Sequence, residues 1–233
     1  MALVAGADGC KGGWICVTRD TETGTVQSSV CSSAHDLISQ APIPDALCID
    51  IPIGLPDSGP RKCDIAARAF IGPRRSSVFP APIRSMLLAA SYASACAIGL
   101  EKDGRKLSKQ AWGIVPKIRE VDEILRASAR ARNVVVEVHP EVCFAVWAGA
   151  PMRHPKKNAE GHAERRQLVA AHFGVAVLDA ILRRYPRSLV AADDVLDAFA
   201  ALRTAERVAT GCSRSLPPAP DRDSCRLPMQ IVY

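Results

Sequence analysis

Short apolar runs that end in an acidic residue are the feature that most constrains how this chain can fold. Three runs are each followed directly by one acid, and these acids are Asp8, Asp50 and Glu137. An extended apolar run bounded by turn residues is typical of a buried strand. A carboxylate there is costly to bury unless a positive charge compensates it. We therefore expect a basic side chain or a divalent cation beside these acids, since such a cation binds several carboxylate oxygens at once.

The order of the predicted elements indicates an α/β fold. Four strands are predicted over residues 2–8, 14–18, 25–30 and 46–51, with a short helix capped by Ser33 before the fourth. A fifth strand is predicted at 133–138. Helices are predicted at 61–70, 86–100, about 121–132, 161–173, 177–184 and from Asp194 to about Ala209. The Pro- and Ser-rich segment after Gly211 is assigned neither helix nor strand.

This order predicts one domain over residues 1–233. Its centre is a mixed sheet whose first three strands are antiparallel, with helices on the faces of the sheet. The segment at about 57–132 is predicted to be a helical insertion after the fourth strand, because it contains no strong strand pattern.

Composition narrows the class of protein. A hydrophobic content of 48% with 23% charged residues is typical of a globular chain. No run approaches the roughly 18 to 20 apolar residues of a membrane helix, so we expect a cytoplasmic protein that makes no membrane contact. The nine cysteines are odd in number and lack Cys-x-x-Cys spacing, which predicts reduced thiols with a structural role.

Charge is distributed unevenly along the chain. From Arg61 to Arg187 there are 23 Lys and Arg residues against 11 Asp and Glu residues, within a chain of net charge +6. A basic middle between acidic ends favours a carboxylate site beside a surface that attracts polyanions. The alternative is that the Arg-rich helices simply solvate their outer faces.

Two acids on the last predicted helix extend the set of candidate ligands. Asp194 and Asp197 are three residues apart, so both project from one side of an apolar helix face. The alternative role is local, because acids in a first helical turn interact favourably with the helix dipole, and Asp193 would make a good N-cap. Asp50 has no such alternative, since Pro52 follows it closely and disfavours capping.

Several blocks of the chain resemble a known family. They are Gly6-Ala7-Asp8-Gly9-Cys10-Lys11-Gly12-Gly13-Trp14, Ile49-Asp50-Ile51-Pro52-Ile53-Gly54-Leu55-Pro56, Arg61-Lys62-Cys63-Asp64-Ile65-Ala66-Ala67-Arg68, Ser76-Ser77-Val78-Phe79, Val136-Glu137-Val138-His139-Pro140-Glu141, Lys156-Lys157 and Asp193-Asp194-Val195-Leu196-Asp197-Ala198. In this order they are similar to the domain-of-unknown-function 429 family. Its members are predicted to be RNase H-like nucleases related to Holliday-junction resolvases.

The resemblance implies an acidic residue on the first strand, one on the fourth strand and one or two on the last helix. Asp8, Asp50, Asp194 and Asp197 match these places as catalytic residues and as ligands of Mg²⁺ or Mn²⁺. Asp8 is expected to bridge two ions at about 3.5–4 Å separation. Glu137 is added to the catalytic set, either joining the cluster from a neighbouring strand or held by a nearby arginine.

The remaining candidates are assigned by charge and position. Contacts to substrate phosphates are predicted for Arg61, Arg68, Arg74, Arg75, Lys156 and Lys157, with a solvated surface as the alternative for each. His139 is either a proton shuttle or a structural residue. Glu141 either joins the acidic cluster or opens a helix after Pro140.

The predicted function is hydrolysis of phosphodiester bonds in a nucleic acid of unspecified type, by a metal-dependent nuclease. One alternative is an actin-like ATP-binding phosphotransferase, although that architecture duplicates a core found here once and no Walker-type motif occurs. Another is a non-catalytic module that binds nucleic acid or protein. Resolvase-like enzymes are often dimers, so a homodimer is an alternative to a monomer, although the sequence shows no dimerisation helix.

Overall fold

A five-stranded mixed sheet forms the centre of the protein, and the computed structural model describes residues 2–233. The strands are β1 (Leu3–Cys10), β2 (Gly13–Asp20), β3 (Val26–Cys31), β4 (Ala46–Ile49) and β5 (Val135–Glu137). They lie in the order β3-β2-β1-β4-β5. β2 pairs antiparallel with β1 and β3, whereas β4 runs parallel to β1 and β5.

Helices cover both faces of this sheet, as the order of elements predicted. They are α1 (Ala34–Ser39), α2 (Lys62–Phe70), α3 (Tyr92–Asp103), α4 (Lys109–Ala127), α5 (Ala129–Val134), α6 (Pro140–Ala148), α7 (Ala159–Phe173), α8 (Val175–Arg184) and α9 (Ala192–Ala209). Successive residues of β1 pack against the helices on opposite faces of the sheet, because successive side chains of a strand point to opposite faces. Ala5 and Ala7 pack with the face covered by α1 and α4, and Val4 packs with the face covered by α6 to α9.

Helix α9 lies directly against the sheet backbone at Gly6, in the middle of β1. A Cβ at this position would lie 2.0 Å from the backbone nitrogen of Leu202 and 2.3 Å from the carbonyl oxygen of Ala198, both on α9. Only glycine leaves room for the α9 backbone here. Since Asp8 is two residues further along the same face of β1, this contact also fixes how near α9 lies to Asp8.

The segment between β4 and β5 is helical in the structure, with α2 to α5 and two 3₁₀ turns at Gly72–Ser77 and Arg84–Leu88. Two predicted helices are divided. The stretch at 86–100 begins as the second 3₁₀ turn, and α3 starts only after Ser91, whose side chain caps it. The helix expected to run to about Arg132 ends at Ala127, because the Ser128 side chain caps α5 instead.

A strand pair at the C-terminus was missed by the sequence analysis. β6 (Ser215–Arg222) and β7 (Pro228–Val232) form a separate two-stranded antiparallel sheet. Pairing is irregular between Leu216 and Asp221, where three prolines lie. Proline cannot serve a central ladder, but it is tolerated in an isolated pair with such an irregularity. The pair packs through Ile231 on α2.

Two general features of the chain complete the fold. All nine cysteines are free thiols, and seven of them are buried, which agrees with the structural role predicted for them. No helix within residues 2–233 has both the length and the apolar character needed to cross a bilayer.

Candidate active site

Three of the four predicted metal ligands, Asp8, Asp50 and Asp197, lie around one cavity of about 570 Å³ at the end of the parallel strands, and the predicted catalytic residue Glu137 also lines it. The topology explains why they meet. β1 and β4 are parallel neighbours, and the backbone nitrogen of Asp50 donates to the carbonyl oxygen of Ala7 over 3.1 Å. Asp50 is therefore held beside Asp8, while the packing of α9 on β1 brings Asp197 to the same place.

Asp8 is almost fully buried, and the backbone nitrogen of Gly9 donates to its Oδ1 over 2.7 Å. Burial raises the pKa of Asp8 well above its ordinary value, and the charges of Asp50 and Asp197 raise it further. Each carboxylate therefore lies close enough to Asp8 to disfavour its ionisation.

Asp50 is half-buried in the cavity wall. Its carboxylate accepts no hydrogen bond from any group in the described part of the chain. Burial raises the pKa of Asp50, while the nearby His139 and Lys156 side chains oppose the rise. The Asp50 oxygens are thus free to bind a ligand in the cavity.

Asp197 is 2% exposed and is paired with a lysine. The Nζ atom of Lys156 donates to its Oδ2 over 2.5 Å. Burial raises the pKa of Asp197 to about 6, and Lys156 opposes this rise. Burial would lower the pKa of Lys156, but the charges of Asp197, Asp8 and Asp50 outweigh that effect and raise it. Lys156 therefore forms an ion pair with this cluster of carboxylates.

Asp194 does not line the cavity, unlike the other three predicted ligands. Its Oδ2 accepts a hydrogen bond of 2.9 Å from the backbone nitrogen of Ala191, the N-cap residue of α9. The N-cap position predicted for Asp193 is therefore wrong, since the helix begins at Ala192 and Asp193 lies in its first turn. The Oδ2 atom of Asp193 is 3.8 Å from Lys156 Nζ.

Glu137 forms a buried ion-pair network with Arg61, which was predicted to contact phosphate. Arg61 is 3% exposed and binds both oxygens of Glu137, at 2.8 and 2.7 Å. It also donates to both oxygens of Asp64 and to the carbonyl oxygens of Ile53 and Gly54. Burial raises the pKa of Glu137 to about 7, and Arg61 opposes the rise. The arginine partner left open by the sequence is thus present, and its donors are engaged by the protein.

A second buried ion pair ties part of the cavity wall to α7. Glu141, in the first turn of α6, accepts hydrogen bonds of 2.8 and 2.7 Å from Nη2 of Arg165 on α7. The Nε atom of Arg74, on the turn at Gly72–Ser77, donates to the same carboxylate over 3.1 Å. Glu141 therefore cross-links three segments, and α6 does begin at Pro140.

Of the other residues predicted to contact phosphate, some line the cavity and some do not. Arg74, Lys156 and Lys157 line the cavity. Arg68 donates over 2.7 Å to the carbonyl oxygen of Val78 and so supports the cavity wall, whereas Arg75 is exposed and does not line the cavity.

Lys117 and Phe79 are among the lining residues that were not assigned a role from the sequence. Lys117 on α4 donates over 2.6 Å to the carbonyl oxygen of Gly13 and lies 4.8 Å above the Trp14 ring. Phe79, which is 44% exposed, also lines the cavity. No local pattern marks Lys117, because it reaches the cavity only through the packing of α4. Phe79 belongs to one of the blocks that carried the family resemblance, so that block was the available signal.

The cluster supplies the kind of ligand atoms that a divalent metal requires. Asp8, Asp50 and Asp197 offer carboxylate oxygens only, which suits a hard cation such as Mg²⁺ or Mn²⁺. As their side chains stand, no three His, Cys, Asp or Glu residues within 2–233 form a metal-binding group. The cation at the cluster is the Lys156 ammonium. The carboxylate oxygens are therefore of the type that binds a divalent ion. In the structure, however, they are arranged around the Lys156 ammonium, with Asp197 in an ion pair with it.

Comparison with known proteins identifies the family. The model of the family described as "Protein of unknown function (DUF429)" matches residues 6–222. The chain belongs to the DUF429 family. No curated protein matches this DUF429 chain, and no solved structure matches it. The family match runs from the middle of β1 to the end of β6 and so includes every residue of the carboxylate cluster.

Proposed function

We propose that this protein is a divalent-metal-dependent nuclease that hydrolyses phosphodiester bonds of a nucleic acid. The observation that carries the proposal is the convergence of Asp8, Asp50 and Asp197 on one cavity. They come from the first strand, from the end of the fourth strand and from the last long helix. This distribution, on a mixed sheet covered by helices, supports an RNase H-like assignment of the fold.

Asp8, Asp50 and Asp197 are the residues that would hold the metal. A bound Mg²⁺ or Mn²⁺ supplies a Lewis acid for the phosphate and lowers the pKa of a bound water. The protein itself supplies a half-enclosed cavity, in which Asp8 is oriented by the Gly9 amide and Asp50 has free oxygens. Asp194 is assigned a supporting role at the start of α9, because its carboxylate is engaged with the Ala191 backbone.

Basic groups at the cavity support a polyanionic substrate. Arg74, Lys117, Lys156 and Lys157 lie in its walls, where they can neutralise phosphates that flank the scissile bond. We assign Arg61 and Arg68 a structural role and not a role in phosphate binding, because their side chains donate to oxygens of the protein.

The test is a cleavage assay with the full chain on branched, duplex, hybrid and single-stranded substrates, each with Mg²⁺ or Mn²⁺ and with a chelator as control. We expect metal-dependent cleavage of at least one substrate, reduced at least 100-fold by Asp50→Asn, because that residue has no other partner. Glu160→Gln is the matched control, since it removes one exposed carboxylate outside the cavity.

Two results would reject the proposal. The first is cleavage that persists unchanged in Asp50→Asn, which would place the chemistry elsewhere or in a contaminant. The second is tight ATP binding together with no affinity for any nucleic acid, which would favour the phosphotransferase alternative.

A further inference from the structure

Lys156 supplies the positive charge that the carboxylate cluster holds in the folded protein. Its Nζ atom lies 2.5 Å from Oδ2 of Asp197 and 3.8 Å from Oδ2 of Asp193. Its charge also acts on Asp8 and Asp50. One ammonium group thus neutralises part of a cluster that contains three carboxylates.

The segment that carries Lys156 is fixed to α7, so the backbone from which the side chain reaches the cluster is held in place. Glu164 accepts hydrogen bonds from the backbone nitrogens of Arg153 and His154, at 3.1 and 3.3 Å. The backbone nitrogen of Asn158 donates to the carbonyl oxygen of Pro155, and a Cβ on Gly161 would lie 2.0 Å from that same oxygen. The backbone on both sides of Lys156 is therefore held against the first turns of α7.

The lysine side chain can leave, although its backbone is anchored. It is 39% exposed, whereas Asp197 is 2% exposed. A long side chain that reaches its partner from the solvent side can turn outwards without unfolding its segment. The neighbouring Lys157 lines the same cavity but has no ion pair with any described residue.

We propose that Lys156 is a displaceable internal counterion. It neutralises the carboxylate cluster in the metal-free protein, and it gives up Asp197 to a divalent cation, which places its ammonium at the cavity where a substrate phosphate binds. This inference rests on the proposed function, because it assumes that Asp8, Asp50 and Asp197 bind the cation. It predicts that lysine and metal compete for the same oxygens.

The metal affinity of a lysine variant distinguishes a competing lysine from one that only binds phosphate. Removing a phosphate contact leaves metal affinity unchanged, whereas removing a competitor increases it. We expect Lys156→Met to tighten Mn²⁺ binding about five- to tenfold, the worth of one partly exposed ion pair with a buried carboxylate. Lys157→Met removes the same charge from the next position and is expected to change the affinity less than twofold.

The experiment is calorimetric titration of Mn²⁺ into the wild type, Lys156→Met, Lys157→Met and Asp50→Asn, without nucleic acid and at pH 7.5. Far-UV circular dichroism establishes that each variant is folded, and Lys156→Arg, which keeps the charge, is expected to behave as the wild type does. Mn²⁺ binding to the wild type that is unchanged or weakened by Lys156→Met overturns the counterion role alone. Absence of Mn²⁺ binding from all four proteins, or binding unaffected by Asp50→Asn, overturns the proposed metal site and this inference with it.

Discussion

Replacement of Arg61 by methionine is expected to be among the most destabilising single changes in this protein. The side chain neutralises Glu137 and Asp64, and all three residues are at most 4% exposed. Methionine fills a similar volume but supplies no charge and no donor. Two carboxylates would then remain buried without a cationic partner.

The magnitude follows from the burial of the network. Removal of one partner from a buried ion pair costs about 3–5 kcal/mol, because the remaining charge stays desolvated. That is a large share of the ~5–15 kcal/mol that stabilises a typical protein. With a urea dependence of about 2–3 kcal/mol per molar, the midpoint of urea unfolding is expected to fall by about 1.5 M.

The loss is also expected to depend on pH. Burial already raises the pKa of Glu137 to about 7 against the opposition of Arg61, so removal of Arg61 raises it further. The folded variant then binds more protons than the unfolded chain, and its stability falls as pH rises through the folded pKa. The deficit relative to the wild type is therefore larger at pH 8.5 than at pH 6.

The assay is urea unfolding at both pH values, followed by far-UV circular dichroism. Lys62→Met is the matched control, because its pair with Asp221 is 71% and 47% exposed and is expected to contribute less than about 1 kcal/mol. If Arg61→Met does not fold, the double variant with Glu137→Gln removes both charges and is expected to recover part of the stability. A cost below about 1 kcal/mol, or one that is equal at both pH values, would refute the reasoning.

Two further predictions concern β1. Asp8→Asn is expected to stabilise the protein by about 1 kcal/mol at pH 8, because the raised pKa of Asp8 means that its ionised form opposes folding. This gain disappears as pH falls below the ordinary pKa of aspartate, and a melting temperature that drops at pH 8 would contradict it. The same change is expected to abolish the proposed cleavage. Gly6→Ala is expected to destabilise by at least ~3 kcal/mol, since its Cβ would lie 2.0 Å from backbone of α9. Thermal unfolding tests this prediction, with Ala5→Gly as the control because it changes one methyl group on the opposite face of β1. A melting temperature of Gly6→Ala that falls no further than that of Ala5→Gly would contradict the prediction.

Sequence patterns correctly predicted those helices and strands whose formation depends on residues close together in the chain. β1 to β4, α1 with its Ser33 cap and α9 each follow from apolar periodicity or a capping residue. The C-terminal strand pair does not, since its prolines argue against a strand and only packing on α2 supports it. A sequence pattern does not show packing between segments that are far apart in the chain.

The candidate site shows the same division. Asp8 and Asp50 were found because each follows an apolar strand, and Asp197 because of its spacing on a helix. The role of Arg61 could not be deduced, because its partner Glu137 is 76 residues away and the sequence offers many other basic residues. Lys117 was missed for a similar reason, since nothing near it in the chain resembles a binding motif.

The cross-link at Glu141 ties part of the cavity wall to the helix behind it. Because one carboxylate binds both Arg74, which lines the cavity, and Arg165 on α7, the turn at Gly72–Ser77 cannot move away from α7 unless a buried ion pair is broken. Under the proposed function, a nucleic acid would meet this part of the wall in a preset shape. Discrimination among strands, branches and duplexes would then reside in how well the geometry of the substrate matches that shape.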